Sequence, residues 1–257
     1  MESSILTSEP GAKAYSKRRI YRMAAIPLQR EIGYPESDGK PIGETECHRD
    51  EIFGLIWVIR QHYRDVPGVH VTGNLFLYYV QGDPRFVVCP DVFVVKGVSK
   101  HQRRIYKLWE EGQVPCLVIE VTSDSTRDED LHGKKDLYER LGVEEYILHD
   151  PFGEYLDPRL QGFRLEAGHY RRIEPAADGS LVSRTTGVTF KPLDSALRLI
   201  DTATGETLPD ADEVQIELDR ERAERQHEQE RRLEAEDQAR AAEEEIRLLR
   251  RELERRG

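Results

Sequence analysis

Cysteine is scarce in this sequence: Cys47, Cys89 and Cys116 are odd in number, and no two are spaced as a CxxC pair. Cys89 and Cys116 sit inside apolar runs, where a reduced thiol behaves as a small hydrophobe. A disulfide or zinc framework is therefore excluded, and a reducing, cytoplasmic setting is expected. The stretch MESSILTSEP has neither a basic start nor an apolar core, so a secretory signal is not expected. No apolar run approaches the roughly 20 residues needed to span a bilayer, so no membrane association is expected. Net positive charge is also lacking. The chain carries −11, which argues against general affinity for nucleic acid and requires any such contact to use a local basic patch.

What is present is a body with a charged tail. Residues 211–257 hold 16 acidic and 11 basic side chains, a net −5, which leaves −6 for the remainder. The 257 residues, 38% hydrophobic, suffice for one sizeable core plus an appendage. Residues 1–31 form a polar lead-in with a basic stretch from Lys13 to Arg22, expected to be partly disordered, and the chain should close over the body near Tyr34. The body spans 32–205. The tail spans 209–257.

The informative segment is 86–150. Two apolar runs rich in β-branched residues, FVVCPDVFVV and CLVIEVT, each carry one carboxylate, Asp91 and Glu120, where a buried strand should have none. An unpaired buried carboxylate is costly, so both need a partner. Alternation places Leu117, Ile119 and Val121 on one face and Val118, Glu120 and Thr122 on the other. VTGNLFLYYVQGDPRFVVCPDVFVV reads as a hairpin with strands over roughly 69–80 and 86–95, and Pro90, which cannot donate to a ladder, should splay the second strand beside Asp91. Two carboxylates on neighbouring strands make a hard oxygen site suited to Mg²⁺, which needs few protein ligands. Such a site can activate water and stabilise the leaving oxygen of a phosphodiester.

Around this pair lie further candidates. The capping signals of SDSTRDED precede a helix over about 130–141, whose buried stripe contains Leu131, Lys134, Tyr138 and Leu141. Lys134 is the one charge on that stripe; Lys135, about 100° away, should be exposed. Upstream, Ile52, Leu55, Ile56 and Ile59 predict a helix from Glu44 to about Asp65, with Glu44 and His48 prolonging its apolar stripe. They are either accessory metal or substrate groups, or a capping glutamate and a partly exposed histidine. Lys96, Lys100, Arg103, Arg104 and Lys107, interleaved with Tyr106 and Trp109, read as a nucleic-acid track or as a solvated connector. His149 and Asp150 read as structural. Residues 155–205 read as a β extension packed on the core. In the tail, Val214, Ala235, Ala242 and Leu249 fall in one heptad row and Leu218, Ala239, Ile246 and Leu253 in the other, interrupted by Glu221, Arg225, Glu228 and Arg232, which allows homodimerisation through a long helix or a solvated single helix.

PDVFVV at 90–95, EVTSDST at 120–126 followed by Asp130, Lys134 and Tyr138, GVEEYILHDP at 142–151 and ETECHRDE near the start together resemble the Uma2 family of the PD-(D/E)xK nuclease superfamily. The resemblance covers roughly 32–205 and implies a restriction-endonuclease-like α/β core, a mixed sheet flanked by helices, here with extra C-terminal strands and a long C-terminal helix. It implies a metal-dependent DNA endonuclease in which Asp91 and Glu120 hold Mg²⁺, or Mn²⁺ as substitute. The superfamily lysine two residues after the glutamate is Thr122 here, so Lys134 would supply the charge from the helix. Glu44, His48, Thr122 and Asp130 are accessory candidates. The alternative is a non-catalytic nuclease-fold module that binds nucleic acid or a partner and oligomerises through its C-terminal helix.

Overall fold

The computed structural model of the chain describes residues 32–37, 39 and 45–256. The lead-in 1–31 and Glu44 lie outside them.

Helix α1, Glu46–His62, starts where the Thr45 hydroxyl accepts the His48 N–H at 3.2 Å and places Glu46 in the positive first turn. Its apolar stripe buries Ile52, Leu55, Val58 and Ile59. Strands β1 (Val69–Thr72), β2 (Leu77–Tyr78), β3 (Val87–Val88) and β4 (Val92–Lys96) follow. The hairpin expected over 69–95 is therefore interrupted on both sides. β1 pairs antiparallel with β4, and β2 with β3, but the two halves belong to different sheets. The break has a local cause: Pro90 has no N–H to give, and its carbonyl instead accepts the N–H of Asn74, whose φ is 47°. The strand splays at Pro90 as its chemistry requires.

After β5 (Tyr106–Lys107) and the short α2 (Leu108–Glu111) come β6 (Leu117–Val121) and β7 (Glu145–His149). These two are parallel, with Glu120 opposite Leu148, and parallel neighbours need a crossover. The crossover is a π-helical turn, Glu129–Lys134, running directly into α3, Lys135–Leu141. Gly142 closes α3 at φ 84°, the left-handed cap its position predicts. Strands β8 (Leu160–Glu166) and β9 (His169–Arg172) extend the same sheet, giving the order β1-β4-β6-β7-β8-β9. Strands β10 (Leu181–Ser183), β11 (Val188–Leu193) and β12 (Ala196–Asp201) form a second antiparallel sheet, and β3-β2-β5 a third.

The central strands are covered on both faces, which is why they read as nearly unbroken apolar runs. Val92, Val94, Leu117, Ile119 and Ile147 pack with α1 and with Phe190 and Leu199 of the second sheet. Phe93, Val95, Val118, Tyr146 and Leu148 pack with Tyr138 of α3 and with Leu77 and Tyr106. Glu145 ties the second sheet down: it is fully buried and accepts from Arg164 Nε at 2.8 Å, Thr185 Oγ1 at 2.7 Å and the Arg184 N–H at 3.0 Å. Burial would raise its carboxyl, but these bonds outweigh burial and hold it below the usual range. Tyr34 closes over the body as expected, its hydroxyl accepting the Gly82 N–H at 2.7 Å and its ring lying 5.0 Å from Tyr78.

Helix α4, Ala211–Arg256, buries no residue. Its start is anchored by Arg198, which reaches Asp210 and Glu213 at 3.2 and 2.5 Å, and its length carries ion pairs such as Arg225–Glu221 at 2.7 Å. No helix among the described residues is long and apolar enough to cross a membrane.

Candidate active site

Asp91 stands at the splayed entrance to β4, and Glu120 lies near the end of β6 on the face turned to α3. Each carboxylate receives an N–H from beside the other: Asp91 N–H points to Glu120 Oε2 at 3.3 Å, and Val121 N–H donates to Asp91 Oδ2 at 2.8 Å. Glu120 is wholly buried, whereas the Asp91 side chain keeps 13% exposure. His48, on the first turn of α1, brings Nε2 to 3.6 Å from Asp91 Oδ2. Gly73 makes this approach possible, because a Cβ there would stand 1.8 Å from the Asp91 carbonyl oxygen.

The crossover supplies the counter-charge. Lys134 Nζ lies 3.0 Å from Glu120 Oε2 and 2.9 Å from Asp130 Oδ1, both carboxylates being buried. One π-helical turn carries Asp130 and Lys134 on the same side, and such turns recur at functional sites. The Tyr138 hydroxyl, one turn further on, donates to Glu120 Oε1 at 2.8 Å. The Tyr146 hydroxyl donates to the Asp130 carbonyl at 3.0 Å and braces the turn. Thr126 braces its start, accepting the Ser123 N–H at 3.1 Å.

Three carboxylates thus face one ammonium. Burial, reinforced by the charges of Asp91 and Asp130, pushes the Glu120 carboxyl well above the carboxylate range despite the opposing pull of Lys134. Burial likewise raises Asp130. For Lys134, burial alone would lower the ammonium, but Glu120, Asp130 and Asp91 together outweigh it and hold the proton on. The cluster is a buried, acid-rich group of side chains around one ammonium.

The structure brings together Asp91, Glu120, Lys134, His48 and Asp130, five residues that the sequence pattern singles out. Thr122 follows Glu120 on the same face, 3% exposed, its Oγ1 without a hydrogen-bond partner among the described residues and its N–H donating to His149 O at 2.7 Å. Tyr138, read only as a stripe residue, is the group sequence reasoning missed; a phenol four positions after a stripe lysine was the available signal. Lys135 is half-buried, contrary to expectation, its Nζ 4.4 Å over the Phe163 ring because β8 covers that side of the crossover. Among the described residues no group of three or more His, Cys, Asp or Glu side chains is arranged to hold a metal by itself.

The basic residues between the two carboxylate strands do not form one row. Lys96 bonds the Thr185 carbonyl, Lys100 the carbonyls of Tyr63 and Arg64, Arg103 pairs with Glu111, Arg104 with Glu36 and Lys107 with Glu110. Of the interleaved aromatics, Tyr106 is buried and Trp109 packs on Tyr34. His149 and Asp150 are structural: His149 is buried 3.5 Å from Glu51, and Asp150 accepts four backbone N–H groups from residues 152, 153, 155 and 156.

The Uma2 family model, described as "Putative restriction endonuclease", matches residues 32–194. No curated protein matches the chain. Among solved structures, one described as a "putative nuclease belonging to DUF820" from Anabaena variabilis shares 16% identity, covering 57% of this chain and 76% of that one with a TM-score of 0.42.

Proposed function

The chain belongs to the Uma2 family, and from that premise we propose that it is a divalent-metal-dependent endonuclease hydrolysing DNA phosphodiester bonds at the Asp91–Glu120–Lys134 cluster. The observation that carries this reading is the shared ammonium: Lys134 lies within 3.0 Å of two buried carboxylates while Asp91 is tied to Glu120 through the backbone.

The residues fit a hard cation. Three carboxylates, Asp91, Glu120 and Asp130, surround the one ammonium of Lys134, an oxygen-rich and net-negative donor set. Asp91 and Glu120 would hold Mg²⁺, or Mn²⁺ in its place, with water and phosphate oxygens completing the shell. When bound, the ion would supply Lewis acidity at the phosphate and acidify an attacking water. The protein's own groups do the rest. Val121 N–H and Tyr138 orient the two carboxylates. Lys134, kept protonated by its neighbours, sets a positive charge beside the position where negative charge grows in the transition state. His48 borders Asp91 as an accessory positioning group, and Asp130 keeps Lys134 aimed.

The test is purified full-length protein with supercoiled plasmid and with single-stranded DNA, in Mg²⁺, Mn²⁺ or EDTA, beside Asp91→Ala. Metal-dependent nicking that disappears in the variant is the expected result. Wild type that cuts neither substrate in any metal overturns it. In that event the second reading, a nuclease-fold binding module, gains weight from Thr122 standing where the superfamily lysine would be.

A further inference from the structure

We infer that the cleft between the last turn of α1 and the free edge of β1 is the track that holds the nucleic-acid backbone leading to the carboxylate cluster. This rests on the nuclease reading above and adds the surface that would bind the polyanion. The cleft has a volume of about 750 Å³, and Arg60, Arg64, His70, Lys100 and Arg103 line it.

Its charge suits a polyanion. Arg103 is neutralised by Glu111 through bonds of 2.6 and 2.8 Å. Burial, aided by Arg103 and Arg60, pushes the His70 imidazole down to about 4, so it is neutral near pH 7. The other cations are held by neutral groups: Arg60 donates to Val71 O at 2.9 Å, and Lys100 to the Tyr63 and Arg64 carbonyls at 2.5 and 2.9 Å. Arg64 is exposed. Two positive charges held in place, Arg60 and Lys100, and a third on exposed Arg64, in a chain of net −11, make the local basic patch that nucleic-acid contact requires.

Its placement links it to the cluster. α1 starts with His48 beside Asp91, and Arg60 lies twelve residues along it, about 18 Å at helical rise. β1 runs back the other way and ends at Thr72, which also lines the cleft, one residue before the Gly73 that rests on Asp91. The Thr72 end of the cleft therefore lies one residue from the contact with Asp91, and the rest of the cleft leads away from it, over a length that spans several phosphates of one strand at ~3.4 Å axial spacing.

A β-strand added to the edge of β1 is the competing occupant. Val71 pairs with Val94, whose carbonyl accepts from Cys116 on the other side, so the Val71 carbonyl faces the open edge. Arg60 already occupies that carbonyl, which disfavours strand addition and leaves the guanidinium at the rim.

The experiment measures binding of the full chain to labelled single-stranded and duplex DNA oligonucleotides in EDTA across a salt series. Wild type is compared with Arg60→Gln/Arg64→Ala and with the charge-matched control Arg171→Ala/Arg172→Ala on β9, the opposite edge strand. In the cleft variant, log affinity against log salt should flatten by roughly 0.7–0.9 for each phosphate left without its cation, with weaker binding, while the control follows wild type. Arg64→Lys should restore most of the slope contributed by that position. Unchanged affinity and slope in the cleft variant overturn the inference, as does weaker binding with an unchanged slope, or a wild type that binds neither DNA at low salt. Because no metal is present, a catalytically silent protein can still support the track. A protein that nicks plasmid but binds independently of Arg60 and Arg64 refutes the track alone.

Discussion

Asp91 and Glu120 are locked as a pair by the backbones of their own strands: Asp91 N–H reaches Glu120 Oε2 at 3.3 Å while Val121 N–H, the next residue after Glu120, donates to Asp91 Oδ2 at 2.8 Å. Neither carboxylate can turn without breaking a bond that positions the other. The pair is therefore preorganised, and its remaining freedom depends on Lys134.

Lys134→Met should remove the only cation between two buried carboxylates, destabilising the fold by about 3–5 kcal/mol and abolishing cleavage. Adding Asp130→Asn should recover part of the stability and none of the cleavage. Tyr138→Phe, which takes one donor from Glu120, should cost about 1.5–3 kcal/mol. Urea denaturation with a plasmid assay reads all three. A Lys134→Ala protein that cuts at the wild-type rate ends the assignment of the helix lysine.

Glu51 provides a pH signature distant from the chemistry. Burial raises its carboxyl from 4.5 to about 7, although the Leu197 N–H it accepts at 3.0 Å works in the opposite direction. A folded-state value above the unfolded one means the native state keeps the proton longer. Its contribution is present below pH 4.5 and is lost as pH rises to about 7, on the order of 3 kcal/mol. Neighbouring His149, lowered to about 4 by burial, acts with the opposite sign between about pH 4 and 6.5. Glu51→Gln should thus make stability climb more steeply than wild type over that interval. Parallel stability–pH curves for the two proteins would contradict a buried neutral carboxyl.

Gly73→Ala should be damaging out of proportion to its size. The added methyl would meet the Asp91 carbonyl at 1.8 Å and Ile56 Cδ1 at 2.8 Å, one backbone and one packed core atom. About 1–3 kcal/mol of overpacking is expected, and because Asp91 must shift, activity should fall further than stability. Alanine at 73 with normal nicking and an unchanged melting temperature would show that the approach is looser than described.

The tail should be dispensable for folding and active in assembly. Leu218, Ile246, Leu249 and Leu253, all large members of the two heptad rows, are exposed by 40–71%. Truncation after Ile216 keeps the Arg198 anchor and should change stability by less than about 0.5 kcal/mol. We expect sedimentation equilibrium to show a concentration-dependent dimer for the full chain, dispersed by the truncation and by Ile246→Lys/Leu253→Lys. A full chain that stays monomeric at every concentration rules out the helical seam.

Local periodicity is enough to assign the face each site residue takes. Alternation put Glu120 and Thr122 on one side of β6, the helical stripe put Lys134 with Tyr138, Pro90 had to splay its strand, and Gly142 had to end α3. These outcomes follow from backbone periodicity and from missing or permissive backbone groups, which act within a few residues. The partners come from long-range packing. It divided the expected hairpin between two sheets, wound residues 129–134 into a π turn so that Asp130 shares Lys134, laid Phe163 under Lys135, and engaged Lys96, Lys100, Arg103, Arg104 and Lys107 one by one instead of as a row. A long charged side chain ends several ångströms from its backbone, and what it meets there comes from segments distant in sequence. Periodicity can aim it, but only packing supplies the atom at the other end.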